Sequence, residues 1–239
     1  MLQVQKPFLK GLSHGIPIAL GYFSVSFGFG ILAVKSGLQA IEAVLISLTN
    51  LTSAGQAAGV GIIAAGGTLL EMAATQFVIN LRYSLMGLSL SQKLDKSFTT
   101  IHRLVASFGI TDEIFAVAAS QKEKLVPTYM YGLIIISAAG WVSGTAAGAI
   151  AGLALPAALT AAMGILLYGM FIAIIVPAAR NSRKDLIVIL LAAAFSTIFK
   201  YVFPSVSFGF AIIISSVAAA VAGAILFPIE LAETEDTKA

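Results

Sequence analysis

From Leu125 through Ala179 the chain carries no charged side chain. A transmembrane helix needs about 20 apolar residues, so this block alone is long enough for two. Charged residues make up 10% of the chain, against roughly 25% in soluble domains. The sequence therefore reads as an all-α polytopic membrane protein, whose function belongs to the few polar groups kept inside the bilayer. Residues 13–228 form a single transmembrane domain on this reading, between a short N-terminal segment (1–12) and an acidic tail (229–239) expected to be disordered. Lys6 and Lys10 precede the first apolar run. That run is too long for the core of a signal peptide and is expected to stay attached as the first span.

The spans fall at about 13–34, 68–90, 128–152, 157–178, 185–200 and 206–228. Two further segments are ambiguous. Residues 41–64 are apolar but centred on Asn50-Leu-Thr-Ser-Ala-Gly-Gln56, and residues 104–120 are interrupted by Thr111-Asp-Glu113. Basic loops mark the cytoplasmic side. The N-terminus, the 91–103 loop, Gln121–Lys124 and Arg180–Lys184 all satisfy that rule if 41–64 enters the membrane and returns. Six helices then cross fully, with 104–120 a second partial element; eight crossings is the alternative. Both versions place the two termini in the cytoplasm and give six to eight membrane segments, some broken or re-entrant. Broken helices are tolerated at membrane depth only where they line protein or a cavity. A net charge of +3 concerns membrane orientation, not nucleic acid, and no cofactor or metal is expected. The absence of cysteine excludes disulfides. A short echo links Ser24–Ile31 with Ser205–Ile212.

Gly140, Gly144, Gly148 and Gly152 recur every fourth residue, the small-residue spacing that lets two membrane helices approach closely. The ionisable residues within spans are Glu71, Arg82, Asp112 and Glu113. Each costs a few kcal/mol there and is a functional candidate for that reason. Asn80 and Arg82 stand two apart, so a regular helix points them about 200° away from each other. Either the helix breaks, or one side chain faces a cavity and the other a protein partner. Arg82 needs an acid if desolvated, and Glu71 or Asp112 is the natural choice. Thr111-Asp112-Glu113 has the form of a helix start, a cap followed by acids in the first turn. It equally offers a carboxylate that binds an ammonium or carries a proton. Gln56, among small residues, is placed to hydrogen-bond a ligand.

The segments Leu51–Gln56, Asn80–Leu90 and Ile110–Ala116 resemble, in that order and spacing, those of the AzlC family, the large subunits of bacterial branched-chain amino acid exporters. The usual Ala-Gly-Ala-Ala before the glutamine is Thr52-Ser-Ala-Gly55 here. The resemblance covers roughly residues 10–230. It implies proton-coupled export of leucine, isoleucine and valine, with methionine a further candidate, through the cell membrane, with a small, separately encoded AzlD-type membrane subunit as partner. Gln56, Asn80, Arg82, Thr111, Asp112 and Glu113 are the residues expected to bind substrate or couple its movement, with Glu71 a possible ion-pair partner. A zwitterion needs a cationic group for its carboxylate and an anionic one for its ammonium, and Arg82 and Asp112 or Glu113 carry those signs.

Two other classes compete. Ser143-Gly144 lies within a span, as the nucleophile of an intramembrane protease would. No histidine follows His102 to serve as its base. A channel or structural subunit that carries no substrate would suit the glycine stripe.

Overall fold

The computed structural model describes residues 2–154, 156, 169, 172, 175–177 and 179–228. Most of the expected 157–178 span and the acidic tail lie outside these residues. The chain forms two units, residues 1–170 and 171–239.

The first unit is built on two long helices, α1 (Leu2–Lys35) and α7 (Pro127–Ala154). They pack in parallel: Gly11 lies against Tyr129 and Leu133, Gly140 against Ala19, and Gly152 against Ile31 and Val34. Residue numbers thus rise together along the seam. Gly140, Gly144 and Gly148 each sit where an added methyl would collide with the α1 backbone. Gly11, Gly15 and Gly30 reciprocate from α1. The glycine stripe of α7 is therefore consumed by packing inside this unit. Backbone meets backbone there without intervening side chains, the closest approach that small residues permit.

Between these helices run α2 (Ala40–Thr49), α3 (Ser53–Ala64), α4 (Leu69–Ser91), α5 (Thr100–Phe108) and α6 (Asp112–Ala119). At 1.5 Å per residue, α4 is about 34 Å long, whereas α2, α3, α5 and α6 are each about 12–18 Å. The hydrocarbon core is about 30 Å thick, so only α4 can cross it unaided.

The short helices turn back. Ala43 of α2 and Val60 of α3 share one buried cluster with Phe29, Ala33 and Ala149. Leu51, at the bend between them, packs instead with Ile18, Tyr22 and Trp141, further down α1 and α7. Residues 40–64 thus descend halfway and return, a re-entrant hairpin. Residues 100–119 do the same from the other end. The His102 ring nitrogen is 2.6 Å from the Tyr131 hydroxyl near the start of α7. Gly109 reaches Ile134 and Thr111 reaches Tyr22. The Lys93 ammonium then donates to the carbonyls of Ala119 and Gln121, which closes the hairpin at its own mouth.

The order is therefore helix, hairpin, helix, hairpin, with the second pair (α4 with α5–α6) inverted relative to the first (α1 with α2–α3). Such inverted repeats are common in transporters. The 24–31 and 205–212 echo is unrelated to it. Residues 24–31 lie mid-helix in α1, whereas 205–207 form a turn.

The basic segments gather at one end of this unit. Lys10 lies 3.9 Å from Glu123, and the 93–95 and 125 backbones exchange hydrogen bonds of 2.9 Å. In that loop the Asp95 carboxylate accepts the Ser97 N–H at 2.9 Å, which holds its pKa below the ordinary value.

The second unit contains α8 (Arg183–Val202) and α9 (Phe208–Leu226). The Ser182 hydroxyl caps α8 by accepting from the Asp185 N–H at 3.2 Å. Gly223 of α9 admits Val188 of α8, and the turn at 203–207 makes the pair antiparallel. Among the described residues, α1, α7, α8 and α9 are long and apolar enough to span a membrane. The polar residues of α4 lower its hydropathy.

Because the chain has no cysteine, single cysteines test the hairpins directly. Cysteines at Gln39 and Ala65 should both react from one side of a sealed vesicle, and cysteines at Ser97 and Lys122 from the other. Labelling of Gln39 and Ala65 positions from opposite sides would replace the first hairpin with a full crossing. Gly148→Leu should lower stability by about 1–3 kcal/mol, the usual cost of overpacking, read as a lower melting temperature in detergent.

Candidate functional site

Each hairpin breaks in the same way. After α2, Asn50 and Thr52 are extended (φ −149° and −98°), and the Thr52 hydroxyl accepts from the Gly55 N–H at 3.3 Å. After α5, Thr111 is extended (φ −123°), and its hydroxyl accepts from the Ile114 N–H at 3.3 Å. Leu51-Thr52 and Ile110-Thr111 are thus equivalent breaks, an aliphatic residue followed by a threonine cap. Thr111, Asp112 and Glu113 do form a helix start, and it lies at the depth of Tyr22.

A helix that ends in hydrocarbon uncovers carbonyls that water cannot reach. Gln56, only 2% exposed, supplies the donors at the first break. Its Nε2 donates to the Asn50 carbonyl, and lies 3.4 Å from Ser47 Oγ and 3.5 Å from the Ile46 carbonyl. Its Oε1 accepts from the Trp141 indole at 3.1 Å. Both ends of this amide are held by protein, so Gln56 binds the two halves of the hairpin to α7. Gln76 of α4 adds a 2.7 Å bond to the Gly55 carbonyl.

α4 is continuous through Asn80 and Arg82, so the two point apart. Asn80 Nδ2 donates to Gln76 Oε1 at 3.1 Å, while its Oδ1 is buried without a partner. Arg82 turns to the second hairpin, where Nη1 lies 2.9 Å from Asp112 Oδ2. Its Nη2 donates to the Tyr83 hydroxyl at 3.3 Å, and the guanidinium stands over the Tyr83 ring at 5.0 Å. Asp112, not Glu71, is therefore the acid that Arg82 meets. Glu71 is buried in the first turn of α4, eleven residues or about 16 Å along the same helix. The Arg82 and Asp112 side chains are 40% and 34% exposed, so protein does not seal the pair off.

The two breaks face a common cavity of about 210 Å³. Residues 49–52 of the first hairpin line it, with Asn80 and Tyr83 of α4 and Ser107, Phe108 and Ile110 of the second hairpin. Hydroxyls and amides occupy one part of the wall, and Leu51, Phe108 and Ile110 the rest. Six of the nine lining residues carry a polar group, more than the few that fix orientation in a typical small-molecule pocket.

Glu113, next to Asp112, points to α1. The Tyr22 hydroxyl lies 2.5 Å from Glu113 Oε2 and 2.5 Å from Thr111 Oγ1, and the Tyr22 ring meets Trp141 edge-on at 5.3 Å. Sequence reading passed over Tyr22 and Trp141. Their signal was an aromatic residue with a polar tip deep in an apolar span, away from the interfacial belts where such residues gather.

A family model described as AzlC protein matches residues 17–155. The chain belongs to the AzlC family. The matched region contains α4, both hairpins and the cavity between them. The inner membrane protein YgaZ of Escherichia coli is 30% identical over 188 residues, 74% of this chain and 75% of that protein. An uncharacterized membrane protein of Archaeoglobus fulgidus is 36% identical over 145 residues, 61% of this chain. The match spans 63% of that archaeal relative, less than two thirds of its length. One from Helicobacter pylori is 26% identical over 156 residues, 64% of this chain and 67% of its own. No solved structure matches. The chain is thus an AzlC-family membrane protein.

Gln56→Leu should destabilise the protein by about 2 kcal/mol, because the Asn50 carbonyl and the Trp141 N–H would both remain buried without partners. Thermal unfolding of the purified protein measures this. A melting point equal to that of the wild type would show that the amide does not hold the hairpin.

Proposed function

We propose that this chain is the substrate-carrying subunit of a secondary exporter for leucine, isoleucine, valine and methionine, driven by the proton gradient. The observation that carries this reading is the meeting of two opposed hairpin tips at one cavity whose wall residue Tyr83 touches Arg82; the Arg82–Asp112 pair adjoins that wall without lining it and is only partly covered by protein. A zwitterion can insert there by exchanging partners, its carboxylate taking Arg82 and its ammonium taking Asp112. The unsatisfied Asn80 carbonyl supplies a second acceptor for the ammonium. The aliphatic side chain of the substrate needs only the apolar part of the wall. Opposed hairpins also suit alternating access, since either tip can withdraw towards its own face of the membrane while the other stays closed.

We further propose that the protein lies in the cell membrane with both termini cytoplasmic. The clustering of Lys10 and the 93 and 121–125 loops at one end of the first unit supports a cytoplasmic N-terminus. A small AzlD-type membrane subunit is the proposed partner, and the family membership supports it. The reading as a purely structural subunit loses the glycine stripe that favoured it, since α1 occupies that stripe.

Purified protein in vesicles, with any small membrane subunit encoded beside it, should release leucine in response to an imposed pH gradient. Arg82→Gln and Asp112→Asn should each weaken apparent leucine affinity about 10- to 100-fold, the worth of one charge-assisted hydrogen bond. Full, saturable, pH-sensitive efflux by the Asp112→Asn protein would remove that carboxylate from the mechanism.

A further inference from the structure

We infer that Glu113 is the group that takes up and releases the coupled proton, and that Tyr22 is its positioning residue. The inference rests on the transport reading above and deepens it. Three acidic side chains lie inside the first unit at membrane depth, and their surroundings differ. Glu71 sits in the first turn of α4, remote from the cavity. Asp112 is committed to Arg82 at 2.9 Å. Glu113 forms no ion pair among the described residues, and its carboxylate is held at 2.5 Å by a neutral hydroxyl. It can therefore gain or lose a proton without breaking a salt bridge, which Asp112 cannot.

The other groups facing Glu113 leave this role to it. α1 contributes Tyr22, and α4 contributes Arg82 and Tyr83, which are engaged with Asp112 and with each other. Asp112 is the neighbour on α6 itself, and α7 contributes Trp141, which does not titrate.

Uptake of the proton changes what the Tyr22 hydroxyl can do. With Glu113 ionised, Tyr22 donates to it in a charge-assisted bond. Once the proton sits on the carboxylate, the bond becomes neutral and roughly half as strong, while the contact of the same hydroxyl with Thr111 Oγ1 at 2.5 Å is unchanged. The tip of the second hairpin is then less firmly tied to α1. Release of the proton restores the tie. The same tyrosine touches Trp141, Trp141 holds Gln56, and Gln56 holds the Asn50 carbonyl beside the cavity. The proton site and the substrate cavity thus share one continuous set of contacts.

Trp141 is the chain's single tryptophan, so its fluorescence reports on Tyr22 without a label. In the full-length protein in detergent, emission should change with pH in one transition. Glu113→Gln should abolish that transition, and Tyr22→Phe should move it to higher pH, because the charged carboxylate loses its donor. A merely structural tyrosine would leave the midpoint in place. A wild-type protein without a transition would overturn the assignment, as would a transition that survives Glu113→Gln. If the Gln variant does not fold, Tyr22→Phe decides alone, and an unmoved midpoint overturns the assignment. In leucine-loaded vesicles, Glu113→Gln should lose the response of efflux to a pH gradient. Wild-type vesicles that move no leucine, with the fluorescence transition still dependent on Glu113, would sink the transport reading and leave the proton site standing.

Discussion

A backbone that stops being helical inside hydrocarbon must find partners for every carbonyl and amide it uncovers, and the whole arrangement of the first unit follows from that demand. Each unmet group costs several kcal/mol in lipid. The first hairpin meets the demand with neutral amides. Gln56 serves the carbonyls at the end of α2, Gln76 serves Gly55, and Trp141 ties the assembly to α7. The second hairpin uses a threonine cap, an arginine–aspartate pair and a tyrosine–glutamate contact. One tip is fixed by groups that do not titrate, the other by groups that do.

This difference in chemistry is laid over a similarity in form. Both hairpins break at an aliphatic–threonine pair, and both follow a long helix, with the second helix running opposite to the first. Where two halves share a fold but differ in what secures them, a change of charge acts on one half only. The cavity between the tips, the proposed substrate site, is lined by both halves.

Much of this was legible in the sequence, for reasons that can be named. Charge-free runs mark spans because lipid excludes charge, and the distribution of lysines is satisfied if 41–64 returns to the side it came from, with eight crossings as the alternative. The Thr111-Asp-Glu113 cap was readable because N-caps depend on local residues alone. The partner of Arg82 was not. Glu71 and Asp112 carry the same charge, and only the fold brings Asp112 to the correct face of α4. Gln56 looked available to a ligand because its spacing does not reveal that Asn50 and Trp141 claim it first. Tyr22 went unremarked because a tyrosine in an apolar span becomes informative only once its hydroxyl has a neighbour ninety residues away.

The glycine seam between α1 and α7 has a mechanical consequence. Most helix contacts can slip by letting side chains change rotamer, but a joint made of bare backbone has nothing to rearrange and so admits a single register. In the proposed transport cycle that joint would be the fixed mast, and the half-depth elements would be the parts that move.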